Sequence, residues 1–249
     1  MDADKKKQEN NKGTEVKIFT VPLAGIAMNE SIYISTNRSN QNSPEQLIQK
    51  ALHFHAQGKI SEAEKYYQYF IEQGFKDHRV FSNYGVILKN FGKLKQAESC
   101  FRKAIKHKPA FADAHYNLGN TLRALGRSKE AELYARKAIQ LNPEFAYAHY
   151  NLGIILKDLS KLKDAELSVR KAIQLKPNFA DAHASLGNIL SDLGELKDAE
   201  LSTRKAIELN PDFAKAHLNL GAILFDLRKL KDAELSVRKA IQLNPNLAE

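Results

Sequence analysis

The sequence predicts an all-α fold, a solenoid of six helix–turn–helix hairpins over residues 44–247. Three observations carry that expectation. The chain nearly matches itself when slid by 34 residues: the stretch 146–179, AYAHYNLGIILKDLSKLKDAELSVRKAIQLKPNF, returns in variant form at 78–111, 112–145, 180–213 and 214–247. A fixed period of roughly 20–50 residues marks an array of small units, none able to bury its apolar face alone. Within each period the apolar residues follow helical spacing twice: Ala148, Leu152, Ile155, Leu156 and Leu159, then Leu162, Ala165, Val169, Ala172 and Ile173. Finally, breakers separate the two runs and close the unit. Gly58, Gly92, Gly126 and Gly194 stand between the helices, where a left-handed residue ends a helix, and Pro109, Pro143, Pro177, Pro211 and Pro245 follow the second helix.

Taken in order, the chain begins with a polar leader and linker, 1–43. Its first 15 residues are charged and aperiodic, a composition that does not fold alone. Two runs rich in β-branched and aromatic residues follow, Lys17–Leu23 and Ser31–Thr36, with Gly25 and Asn29 between them; they have the makings of a small β-hairpin. Lysines before an apolar stretch imitate a secretory signal, but four acids ahead of that stretch and Thr20, Pro22 and Gly25 inside it argue against it. Ser43-Pro44 supplies a cap and a first-turn proline for the first helix.

The repeats now carry a family resemblance. Small residues recur where helices must touch: Gly119, Gly153, Gly187 and Gly221 in the first helices, and Ala131, Ala165, Ala199, Ala233 with Ala138, Ala172, Ala206, Ala240 in the second. With Leu118, Leu152, Leu186 and Leu220 before the glycines and a proline closing each unit, the array resembles the tetratricopeptide repeat. The resemblance covers 44–77, 78–111, 112–145, 146–179, 180–213 and 214–247, and implies a right-handed superhelix. The first unit departs from the pattern, with Ala51 in place of the glycine and no proline at Gly74-Phe75, and reads as a degenerate capping repeat. Arrays of this cyanobacterial type continue, in proteins they resemble, into a sulfotransferase or glycosyltransferase domain. The sixth unit ends at Leu247 with no polar closing helix after it. The array therefore reads alternatively as the targeting half of a larger transferase, or as a structural piece that self-associates through its C-terminal repeat.

Charge narrows the function classes. Of the net charge of +9, residues 1–43 contribute +1 (six Lys/Arg against five Asp/Glu), so the repeats carry +8. Each recurrent arginine of the second helices follows a glutamate by four residues, as in Glu166–Arg170 and Glu200–Arg204, the favourable order for helical ion pairs. Nucleic-acid binding wants unpaired basic residues along one groove, so no nucleic acid is expected. No apolar stretch approaches the roughly 20 residues that span a bilayer, so no membrane partner is expected. A single cysteine, Cys100, leaves no room for an intramolecular disulfide and fits a reducing, cytoplasmic compartment. No phosphate loop, nucleophile motif or metal motif occurs, and His115, His149, His183 and His217, one per unit, are too far apart to share an ion. The sequence thus reads as a non-enzyme with no cofactor.

Binding is the remaining class, and comparison of units locates it. The second helices are nearly interchangeable; the first helices differ at the second, fifth, ninth and twelfth places of the unit. In the family it resembles, those places line the concave groove. They hold Tyr116, Tyr147, Tyr150, Asn120, Asn188, Arg123 and Lys157, and Tyr and Arg are preferred interface anchors. The sixth place is asparagine at Asn83, Asn117, Asn151 and Asn219. An amide both donates and accepts, and the resemblance to the superhelix of O-linked N-acetylglucosamine transferases implies an asparagine ladder that holds a peptide backbone. The family's carboxylate clamp for chaperone tails needs Lys at the fifth place and Arg at the sixth, and neither occurs. The expected partner is a protein or peptide segment, somewhat acidic because Arg123 and Lys157 flank the tyrosines.

Overall fold

The computed structural model describes residues 43–248, and the runs expected to form a hairpin in the leader lie outside them. Among the described residues the chain is helical throughout, without strands: α1 (Pro44–Ala56), α2 (Ile60–Glu72), α3 (His78–Asn90), α4 (Leu94–His107), α5 (Ala112–Ala124), α6 (Ser128–Leu141), α7 (Ala146–Asp158), α8 (Leu162–Leu175), α9 (Ala180–Asp192), α10 (Leu196–Leu209), α11 (Ala214–Asp226) and α12 (Leu230–Leu243), then a 3₁₀ turn, Pro245–Ala248. The fold class is the expected all-α array of hairpins. Two compact units divide the chain at Tyr66, within α2.

In the first unit, Ser43 and Gln46 form a reciprocal capping box across the first turn, with Pro44 between them. The interior is Leu47, Ile48, Ala51 and Ala63, with Phe54 stacked on Tyr66 at 5.5 Å.

In the second unit each first helix packs against its own second helix, and that second helix against the following first helix. First helices also touch one another directly, α3 with α5, α5 with α7, α7 with α9 and α9 with α11. A continuous core results, of leucines and isoleucines such as Leu118, Leu152, Ile155 and Leu186 interleaved with fully buried alanines. Close approach explains the glycine in each first helix. A Cβ at Gly153 would overlap Val169 Cγ2 and stand 3.1 Å from the Ala165 carbonyl oxygen.

Hairpin turns follow one pattern. At Gly92 (φ +72°) the amides of Gly92 and Lys93 donate to the carbonyls of Lys89 and Leu88, the paired bonds of a Schellman motif. Ser160 (φ +59°) and Arg228 (φ +61°) adopt the same left-handed geometry without being glycine. The linkers between hairpins are tied by the recurrent histidines. Nε2 of His115, His149, His183 and His217 lies 2.8–2.9 Å from the carbonyl oxygen of Pro109, Pro143, Pro177 and Pro211 respectively. A carbonyl only accepts, so Nε2 carries the proton. These histidines hold the turn before the first helix, a packing role.

Ion pairs staple successive hairpins. Lys161 reaches Glu132 at 2.8 Å, Lys229 reaches Glu200 at 2.7 Å, and Arg127 reaches Glu98 at 2.9 Å. Between α8 and α10 the equivalent residue is Glu195, and Lys163 bridges it (2.6 Å) to Glu166 (3.4 Å), which Arg170 also meets. Cys100 is buried in the core, and that burial pushes its thiol up to about 11. Such a thiol packs rather than reacts.

Candidate functional site

The direct contacts between first helices make one continuous face of α3, α5, α7, α9 and α11, and the residues singled out from the sequence lie on these helices. Their surroundings differ.

The tyrosines form an aromatic group with partners that sequence comparison overlooked. Tyr116 packs on Phe145, ring centroids 5.0 Å apart, while Tyr147 and Tyr150 both pack on Phe179 at 4.9 Å. Tyr116 also hydrogen-bonds Asn120; burial, and to a lesser degree Tyr150 and Tyr147, push its hydroxyl above the ordinary tyrosine range. Tyr150 Oη lies 3.3 Å from Ser185 Oγ. Lys176 contacts the Tyr147 hydroxyl, with its ammonium 4.5 Å from that ring's centroid. The missed signal is periodic: phenylalanine closes the unit at Phe111, Phe145, Phe179 and Phe213. All three tyrosines are half-buried, so they both support the fold and offer surface.

These asparagines are of three kinds. Asn83 turns back and donates from Nδ2 to the Arg79 carbonyl at 3.0 Å, within its own helix. Asn151 is buried, 4 % exposed, and its Nδ2 has no hydrogen-bond partner among the described residues. Its amide nitrogen sits against Gly119, 3.5 Å from where a Cβ there would stand. Asn117, Asn188 and Asn219 are half-buried, and no side-chain hydrogen bond occupies them among the described residues. The sixth-place ladder is therefore not uniform.

The basic pair is not free. Arg123 Nε donates to Asp158 Oδ2 at 2.6 Å, and Lys157 Nζ lies 3.0 Å from Asp192 Oδ2. Each cation meets the acid of the following hairpin, so the attraction expected for an acidic ligand is largely spent within the fold.

Asn219 stands apart from the aromatic group, on the wall of an open groove between α11 and α12. This groove, about 660 Å³, is bordered by Phe225, Leu230 and Val237. Among the described residues no group of His, Cys, Asp and Glu could hold a metal, and no helix is long and apolar enough to cross a membrane.

Known proteins share this architecture. A family model described as the middle TPR-like domain of cilia and flagella-associated protein 70 matches residues 47–156. Tetratricopeptide repeat models match 146–179, 180–213 and 214–247. Among solved structures the chain is similar to YrrB, described as a TPR protein with an unusual peptide-binding site, at 26 % identity over 72 % of this chain and 92 % of that one, TM-score 0.57. It is similar in fold to MamA (24 % identity, 66 % and 96 % covered, TM-score 0.58) and to PilF of Pseudomonas aeruginosa (20 %, 81 % and 92 %, 0.70). No curated protein matches the sequence significantly.

Proposed function

We propose that this chain, a tetratricopeptide-repeat protein and so a protein-interaction scaffold, binds an extended peptide segment along its first-helix face. The observation that carries the reading is the pair of half-buried, unoccupied amides, Asn117 and Asn188, on the same first-helix face as the half-buried rings of Tyr116, Tyr147 and Tyr150. An amide side chain offers two donors and an acceptor, and a peptide backbone supplies the acceptor and the donor that these side chains do not find in the fold. The flanking rings offer flat apolar area at small entropic cost. The peptide-binding site described for the similar protein YrrB supports the same class of ligand. An acidic preference gains little support on this face, because Asp158 and Asp192 pair with its cations.

Packing of the tyrosines on Phe145 and Phe179 makes Tyr→Ala a poor probe, since it would weaken folding and binding together. The amides are cleaner. A peptide selected from a random library on the wild-type chain is titrated calorimetrically against Asn117→Ala with Asn188→Ala. Loss of central anchors costs about 2 kcal/mol, roughly thirtyfold in affinity. Unchanged affinity would reject the first-helix site.

A second reading, self-association through the last hairpin, rests on one observation. The sequence of α12 is that of α8, yet its Leu230 is exposed and its Val237 only half-buried, where α9 helps to cover the matching residues of α8. Multi-angle light scattering tests it: the mass should rise towards that of a dimer with concentration, and a constant monomer mass rejects it.

A further inference from the structure

The second helices carry a surface that folding does not ask for. In α6, α8, α10 and α12 one leucine each, Leu133, Leu167, Leu201 and Leu235, is 66–67 % exposed. The equivalent place in α4 is Ser99, also exposed, so the hairpin forms without leucine there. Scattered exposed leucines are ordinary; four in register, on parallel elements of one unit, are not.

Between these helices run two grooves of nearly equal size, about 430 Å³ from α8 to α10 and about 440 Å³ from α10 to α12. In the first, His183 and Leu186 of α9 lie between Arg170 and Ile173 on one wall and Leu201 and Lys205 on the other. In the second the same places are filled by His217, Leu220, Arg204, Ile207, Leu235 and Lys239. No carboxylate lines the first groove; Glu208 alone lines the second and is paired to Lys205 at 2.6 Å. Arg170 and Arg204 are held upright by Glu166 and Glu200 on their own helices. Lys239 reaches only the amide of Gln242, and Lys197 and Lys231 have no ion pair among the described residues. Among the exposed acids of these helices, Asp164, Asp198 and Asp232 sit in the first turn, where the helix dipole favours them, and do not line the grooves; Glu234 is paired to Arg238, which leaves Glu208 as the one exposed acid on a wall of these two grooves.

We propose that the grooves between successive second helices are a second docking face, which takes an acidic protein segment bearing apolar side chains. The apolar groups enter beside Leu201 and Leu235 and reach Leu186 and Leu220, while carboxylates meet Lys239 and the outward faces of Arg170 and Arg204, each 50 % exposed above a glutamate that is only 12–13 % exposed. A recessed apolar floor under a basic rim selects this occupant. A side chain reaches such a floor, and a flat lipid surface meets only the raised leucines. The near-identity of the second helices, which denies them a unique ligand, gives them one site repeated every 34 residues. A segment spanning both grooves gains from linked binding at two weak sites. Charge complementarity supplies the encounter and its salt dependence. The face is separate from the first-helix amides and does not depend on them.

The test isolates it. A phage-displayed random peptide library is selected on the chain carrying Asn117→Ala and Asn188→Ala, which leaves the second helices intact. Captured peptides should be enriched in Asp and Glu next to apolar residues. Their affinity should fall at least tenfold on Leu201→Ser with Leu235→Ser, and should weaken progressively with added salt. Serine is what α4 carries at this place, so the circular dichroism melt should not change. An empty selection, peptides without acidic enrichment, or affinity indifferent to the leucine pair overturns the proposal. It is equally overturned if the leucine pair abolishes sedimentation with phosphatidylcholine–phosphatidylserine vesicles while no peptide is captured. Failure of the first-helix reading appears separately, as wild-type peptides that ignore Asn117→Ala with Asn188→Ala.

Discussion

Helices α8 and α12 share one sequence, LKDAELSVRKAIQL, and occupy different surroundings. Their local features coincide: 14 residues each, the same capping geometry at Lys161 and Lys229, and outer leucines, Leu167 and Leu235, exposed to the same extent within a percentage point. Their inner faces do not coincide. Val169 is fully buried, whereas Val237 is only half-buried; Leu230 is 56 % exposed where Leu162 is half-buried. Glu166 keeps 13 % of its side chain accessible and Glu234 keeps 61 %. The difference is α9, which packs on α8 in addition to α7, whereas among the described residues α12 meets only α11 and the short 3₁₀ turn. Identical sequence makes an identical helix; the neighbour decides what that helix contributes.

The largest expected divergence comes from placing a charge at the matched valines. Val169→Asp strands a carboxylate in a closed core and should cost several kcal/mol, enough to unfold the surrounding hairpins. Val237→Asp should cost about 1 kcal/mol, since the carboxylate can turn to water. Urea denaturation midpoints measure both, and equal losses would mean that α12 is covered in solution. Gly153→Ala and Gly221→Ala come next. The new Cβ overlaps a valine methyl in both hairpins, but only Val169 is enclosed. Overpacking should cost about 1–3 kcal/mol at Gly153 and visibly less at Gly221, where Val237 has room to rotate.

A third pair should show no divergence at all. Ser160→Gly and Arg228→Gly relieve the same left-handed strain and should each stabilise by about 1 kcal/mol, because the turn geometry is local. Unequal gains in thermal melts would show that the turn senses its neighbours. The smallest effect is in the helical ion pairs. Arg170→Ala loses a partner whose carboxylate is mostly sheltered, and should cost about 0.3–0.5 kcal/mol; Arg238→Ala, on an exposed glutamate, should cost nothing measurable.

The same contrast explains how far the candidate site could be read from the sequence. Asn83 and Asn151 hold the same place in their units, and a residue-by-residue comparison treats them alike. In the fold Asn83 bonds its own helix and Asn151 is packed between α5 and α7. Arg123 and Lys157 read as free cations, because the acids that meet them, Asp158 and Asp192, lie 35 residues further along the chain. The phenylalanines under the tyrosines recur with the period, but the period does not show their ring contacts, which join Phe145 and Phe179 to tyrosines of the preceding first helix.

What the sequence determined by itself is everything that depends on a few consecutive residues. Helical spacing set the helices, a left-handed residue in the turn set each hairpin, and glycines and alanines marked where backbones must touch; a 34-residue period then implied stacking. Tertiary structure alone decided which copy of a repeated residue is buried, paired or left open. The physical reason is that local free energies of turns and helices are the same wherever the letters recur. Burial and charge pairing belong to two elements at once, and the second element differs from one repeat to the next.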